Sequence, residues 1–218
     1  MEKMIISVLG DSITAGVALE QSDGTFLENW QDIAAKALNA EFHSFGVGGS
    51  TTSGGLSRAH QLSGVESDYT IIEFGMNDSV ISAEDGTEQN PLDKFCRELV
   101  ELYQICKDNH ARPIFMTPNT VIEEYYYERH PQQWYEGVGG ANAQIKRYRD
   151  AMIATAQSLN CPVIDIWLEY HNRMNQISQL VRTEQQGNFR DGVHPYGDGV
   201  KLYADTVIDF FKKGLHQK

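Results

Sequence analysis

Three apolar runs in this chain each stop at a polar turn containing glycine, and that pattern leaves few ways to fold. Met4-Ile5-Ile6-Ser7-Val8-Leu9 runs into Gly10-Asp11-Ser12-Ile13-Thr14. Glu41-Phe42-His43-Ser44-Phe45 ends in Gly46-Val47-Gly48-Gly49-Ser50-Thr51-Thr52, and Tyr69-Thr70-Ile71-Ile72-Glu73-Phe74 ends in Gly75-Met76-Asn77-Asp78. Short apolar runs bounded by glycine read as buried strands. The segments from Arg112 to Pro118 and from Pro162 to Ile166 add a fourth and a fifth. Helical spacing fills the gaps. It predicts helices from Thr25 to Asn39 (capped by Asp23 or Thr25), from Ser53 to Leu62, after Pro91, from Ala141 to Leu159 and from Trp167 to Val181. A last helix carries Val200, Tyr203, Ala204, Val207, Ile208 and Phe211 on one face. Strands alternating with helices give parallel β-α-β units with right-handed crossovers. The expected fold is therefore α/β, a three-layer α/β/α sandwich with a five-stranded parallel sheet, as one domain over residues 1–218. Such sheets bind ligands beyond the carboxyl ends of their strands, so all three glycine turns should open onto one edge.

Composition narrows the chemistry. With 41% hydrophobic and 22% charged residues, a chain of 218 can bury a sizeable core. No run reaches the length of a membrane span and no secretory leader is seen, which predicts a cytoplasmic protein. Cys96, Cys106 and Cys161 show no C-x-x-C spacing and are expected to be reduced. A net charge of −12 argues against nucleic acid or an anionic membrane as partner. Between Glu66 and Asp93 there are eight acids and no lysine or arginine, which favours a neutral substrate. No His-Glu-x-x-His or clustered Cys/His set is present, and the glycine turns match neither a P-loop nor a dinucleotide fingerprint, so neither metal nor cofactor is expected. Oligomeric state is not legible.

A serine hydroxyl is a poor nucleophile until a base takes its proton. Of the seven histidines, His194 is the one with an acid at a useful spacing, in Asp191-Gly192-Val193-His194-Pro195. Three residues let the carboxylate reach the ring nitrogen facing away from Ser12 and fix the tautomer. A tetrahedral intermediate also needs donors for its oxyanion. Gly49 can offer an unobstructed backbone N–H, Asn77 a side-chain amide and Ser12 its own N–H. Taken one at a time, these residues are ordinary turn and cap residues; their joint placement after successive strands is what points to catalysis.

The four blocks Gly10-Asp11-Ser12-Ile13-Thr14, Gly46-Val47-Gly48-Gly49, Gly75-Met76-Asn77-Asp78 and Asp191-Gly192-Val193-His194-Pro195, in this order, resemble those of the SGNH hydrolases, the GDSL esterase/lipase superfamily. The resemblance implies a flavodoxin-like sheet, with Ser12 as nucleophile, His194 as base and Asp191 as its orienting acid. It also implies an oxyanion hole of Ser12, Gly49 and Asn77. Two positions depart from the pattern: Ser44 stands where many members have asparagine, and Ser50 where they have aspartate. Residues 119–136 break the helical pattern and crowd in Tyr125, Tyr126, Trp134 and Tyr135. These aromatics, with Asp11, are the candidates for contacting substrate; the competing reading packs them beneath the loop or against another subunit. The motif style is nearer to the carbohydrate-esterase-like members than to long-chain lipases. That implies removal of short acyl groups, typically acetyl, from a sugar or similar small alcohol. The alternatives are a thioesterase or lysophospholipase-like hydrolase, an acyltransferase, and a non-catalytic carbohydrate-binding protein on the same scaffold.

Overall fold

The computed structural model describes residues 3–17, 27–186 and 188–215. Five strands form one sheet: β1 (Met4–Gly10), β2 (Ala40–Gly46), β3 (Tyr69–Glu73), β4 (Arg112–Met116) and β5 (Val163–Ile164). Their order is β2-β1-β3-β4-β5 and every pairing is parallel. The chain leaves β1 for β2 on one side, then crosses to β3 on the other. This reversal opens a crevice at the carboxyl ends of β1 and β3, where Ser12 and Asn77 follow.

Strands covered on both faces need apolar residues throughout, which explains the continuous runs. Successive side chains alternate between two cores. Val8, Ile71 and Ile114 pack into one, with Trp30, Tyr203 and Val207; Leu9, Ile72 and Phe115 pack into the other, with Phe95, Leu99 and Met152. The helices supplying those partners are α1 (Ser12–Ala15), α2 (Trp30–Leu38), α3 (Thr52–Arg58), α4 (Leu92–Asp108), α5 (Glu123–Tyr126), α6 (Ala141–Leu159), α7 (Ile166–His171), α8 (Ile177–Leu180) and α9 (Asp198–Leu215). α2 and α9 cover one face, α3 and α4 the other, and α6 contributes to both cores. Gly55 of α3 is there because the Phe74 ring lies 2.6 Å from where a Cβ would stand. No described helix is long and apolar enough to cross a membrane.

Several boundaries move from their expected places. α2 starts at Trp30, not Thr25, because the Asp32 carboxylate accepts the Asn29 N–H at 3.0 Å and makes Asn29 the cap. The expected caps Asp23 and Thr25 lie outside the described residues. α3 gives way to a 3-10 turn, Ala59–Gly64. The fifth strand ends at Ile164 because the Asp165 side chain accepts the Leu168 N–H and caps α7. The stretch from Trp167 to Val181, expected as one helix, is α7, a 3-10 turn (Met174–Gln176) and α8. The break folds the chain back so that the Leu180 carbonyl accepts from both the Tyr196 N–H and the Tyr170 hydroxyl. A small hairpin of β6 (Gln185–Gln186) and β7 (Phe189–Arg190) occupies the polar stretch before Asp191.

Candidate active site

The first turn is shaped by Asp11, whose Oδ1 accepts the Ile13 N–H at 2.9 Å and caps the one-turn helix α1. Ser12 thereby becomes the first helical residue, with an N–H that has no intrahelical acceptor. Gly10 is obligatory, since a Cβ would stand 2.1 Å from Thr14 Oγ1. The second turn is tied to the first. Val47 N–H donates to the Gly10 carbonyl, and Arg58 of α3 donates to the Gly10 carbonyl (2.6 Å), Ser50 Oγ (2.6 Å) and the Phe45 carbonyl (3.3 Å). Gly49 has φ +72° and open space around it. No acceptor among the described residues takes the N–H of Ser12 or of Gly49.

In the third turn, Asp78 is fully buried and holds the loop from inside. Its Oδ2 accepts the Gly75 N–H, and its Oδ1 accepts from the Thr52 N–H, the Thr52 hydroxyl and the Asn90 amide. Burial raises the Asp78 carboxyl above its ordinary range, partly offset by these donors. Glu98 of α4 extends the network to Thr52, Ser53 and Asn90. Asn77 sits between the turns: its Nδ2 donates to Asp11 Oδ2 at 3.0 Å and to the Ser50 carbonyl at 3.1 Å. Both amide hydrogens are thus engaged.

The fourth turn is organised by Asp191. Its Oδ1 accepts the N–H groups of Val193 and His194, each at 2.9 Å. His194 Nδ1 lies 2.8 Å from Asp191 Oδ2, and His194 Nε2 lies 2.8 Å from Ser12 Oγ. The structure thus joins Ser12, His194 and Asp191 in one hydrogen-bonded row. Burial acts to raise the Asp191 carboxyl, but its bonds to the His194 ring and to both N–H groups hold it below the usual range. An ionised Asp191 requires the proton on Nδ1, which leaves Nε2 free to accept from Ser12. The row can therefore move the serine proton onto the imidazole and stabilise the cation that results.

The segment from 119 to 136 supports this turn from behind. Asn119 Nδ2 donates to the Val193 carbonyl, Ile122 N–H to the Gly192 carbonyl and Arg129 to the Asp191 carbonyl. Gly192, at φ +68°, leaves 2.7 Å between a would-be Cβ and Tyr125 Cβ. The Tyr125 ring is covered by the Arg190 guanidinium, 3.7 Å from the ring centre.

Three of the expected substrate contacts are corrected by burial. Asp11, Tyr126 and Tyr135 expose 0%, 2% and 1% of their surface and so cannot meet a ligand directly. The Tyr126 and Tyr135 hydroxyls meet each other, and the Tyr135 hydroxyl accepts the Ile81 N–H. Both belong to the large core that also holds Val8, Trp30 and Ile71. Trp134 is half-buried against the same core. The hollow beside Ser12 and His194 is lined instead by Ile13, Gly16, Val17, Asn29, Trp30, Pro195 and Val200, and measures about 10 Å³. Arg58, Glu73, Asn90 and Glu98, none singled out in the sequence, also converge behind the turns. Among the described residues no three His, Cys, Asp or Glu side chains are grouped to hold a metal ion.

The chain is similar to several known proteins. An isoamyl acetate-hydrolyzing esterase of Saccharomyces cerevisiae is 25% identical over 150 residues, 67% of this chain and 59% of the yeast protein. A member of the lipolytic G-D-S-L family from Veillonella parvula superposes with a TM-score of 0.69 at 19% identity, covering 96% of this chain and 99% of that one. An acetylxylan esterase from Geobacillus stearothermophilus superposes with a TM-score of 0.70 at 17% identity, covering 95% and 93%. The profile of the GDSL-like lipase/acylhydrolase family matches residues 8–202, a stretch that contains all four turns. The chain belongs to that family.

Proposed function

We propose that the protein removes short acyl groups, acetyl above all, from esters of a carbohydrate or similar small neutral alcohol. Ser12 Oγ attacks the ester carbonyl as His194 Nε2 takes its proton, with Asp191 holding the imidazolium. The oxyanion is met by the N–H groups of Ser12 and Gly49 and by the Asn77 amide. Return of the proton from Nε2 to the alkoxide expels the alcohol and leaves an acyl-Ser12 ester. Water, activated by the same imidazole, then releases the acid. The observation that carries this reading is the 2.8 Å contact at each end of His194. Acetate esters are also the common element in the names of the yeast and Geobacillus relatives.

The test is a panel of p-nitrophenyl acetate, butyrate and octanoate, isoamyl acetate and acetylated xylooligosaccharides, run on wild type and Ser12→Ala. The acetyl esters should turn over fastest, and Ser12→Ala should fold normally while losing ~10³-fold or more in kcat. Unchanged turnover in that variant would refute the mechanism; equal turnover of octanoate and acetate would refute the chain-length assignment.

A further inference from the structure

Six large apolar side chains are exposed among the described residues, and two of them, Val17 and Val47, stand on the turns that build the active edge. Single exposed valines are ordinary on a protein surface, but a pair at one site is not scatter. Gly16, at φ +70°, closes α1 in the left-handed conformation, and Val17 follows it with 44% of its surface exposed. Val17 lines the hollow beside Ser12 and His194. Its Cγ2 also lies 3.9 Å from where a Cβ on Gly48 would stand, so it reaches from the first turn to the second. In that second turn Val47 is fixed by its backbone. Its N–H donates to the Gly10 carbonyl at 3.1 Å, and its carbonyl accepts the Ser50 N–H at 3.2 Å. The Val47 side chain nevertheless stays 48% exposed. Neither valine belongs to either core, so packing does not account for the pair.

The two ends of an ester held on Ser12 are not equivalent. Its oxyanion has to face the N–H groups of Ser12 and Gly49 and the Asn77 amide. Its leaving oxygen has to face His194 Nε2, because that nitrogen returns the proton. The alcohol therefore departs on the imidazole side of Ser12. The hollow on that side is lined by Val17, His194 and Pro195, and by neither Gly49 nor Asn77. We propose that Val17 and Val47 form an apolar shelf for the alcohol part of the ester and set its class: a short, uncharged aliphatic alcohol rather than a sugar. The proposal rests on the serine-esterase reading above and narrows the alcohol that reading leaves open. Valine offers methyl groups and no hydrogen bond, so a hydroxyl-rich or charged alcohol would give up water there for nothing in return. An aliphatic chain laid across the shelf instead removes its own surface and both valines from water. Tyr126 and Tyr135, whose rings a sugar could have used, are buried.

The test keeps the acyl group constant and changes the alcohol. Acetate release from methyl, butyl and isoamyl acetate and from glyceryl monoacetate is measured on wild type, Val17→Thr, Val47→Thr and the double variant. Threonine keeps the shape of valine and exchanges one methyl for a hydroxyl at an exposed site, and thermal melts establish that each variant folds. Wild-type kcat/KM should rise on the order of ten-fold from methyl to isoamyl acetate, each methylene group taken out of water being worth about four-fold. Glyceryl monoacetate should turn over no faster than methyl acetate. The double variant should lose roughly four-fold or more in the ratio of isoamyl to methyl acetate, chiefly through KM. If the double variant does not fold, the single ones decide by the same ratio. A flat profile across the alcohols would overturn the proposal, as would faster turnover of the glycerol ester than of isoamyl acetate. Equal losses on methyl and isoamyl acetate would also overturn it, since the valines would then only support the turns. Methyl butanoate and methyl hexanoate check the side: variants that change the preference between these acyl chains but not among alcohols would remove the shelf from the alcohol. Ser12→Ala, run alongside, tells two failures apart. Residual turnover there sinks the esterase reading, whereas an inactive Ser12→Ala with a flat alcohol profile in wild type sinks only the shelf.

Discussion

Asp191 and Glu73 are both buried carboxyls, and their surroundings send them in opposite directions. Asp191 meets two N–H groups and the His194 ring, and is held below the usual range. Glu73 meets one hydroxyl and another carboxyl, and burial raises it to about 7. Burial acts upward on both, and at Asp191 the His194 ring and the two N–H groups outweigh it. The consequence for stability follows from proton linkage. In the unfolded chain Glu73 titrates near 4.5, so between that value and about 7 the folded state binds the extra proton. The stabilisation this represents is complete below the unfolded value and is lost as pH rises through the folded one. A gap of this size corresponds to about 3 kcal/mol. Glu73→Gln should remove that slope, so its melting temperature relative to wild type should rise between mild acid and mild alkali. Parallel curves in thermal melts across that window would exclude it.

At the scale of elements, the active edge is built from turns rather than strands, and α3 is the piece that joins them. Arg58, at its carboxyl end, bonds to residues of the first two turns and to the end of β2. Arg58→Leu should lower stability by about 2 kcal/mol, because partly buried carbonyls lose a charged donor. It should lower kcat more than KM, since the oxyanion donors move while the hollow beside Ser12 does not. A kcat equal to wild type would show that Val47 N–H and the Asn77 amide hold the turns together without Arg58. Nothing about Arg58 marks it in the sequence, since its partners lie 8 to 48 positions away. Glu73 was likewise hidden, as a polar residue near the end of an apolar strand. What could be read was whatever depends on near neighbours: the glycine turns, the acid three positions before His194, and α6, whose limits fall where the helical spacing puts them. α7 and α8 were misread as one helix because the spacing continues through a bend set by contacts with Tyr170 and Tyr196. The aromatics of residues 119–136 were visible as a cluster. Which way they faced was not, because that depends on how Gly192 and Ile81 pack against them.

For the whole molecule, the order β2-β1-β3-β4-β5 puts the first strand inside the sheet, between β2 and β3. α9 packs against α2, and the loop before α9 brings His194 to Ser12, 182 positions away, at 2.8 Å. On the proposed mechanism, Ser12 therefore stays chemically silent until the segment that carries Asp191 and His194 has docked. Turnover becomes a clock for completion, not for collapse. In refolding from denaturant, recovery of esterase activity should trail recovery of far-ultraviolet ellipticity, because helices form from local contacts and this bond joins residues 182 positions apart. Simultaneous recovery of the two signals would mean that the ends find each other as early as the helices form.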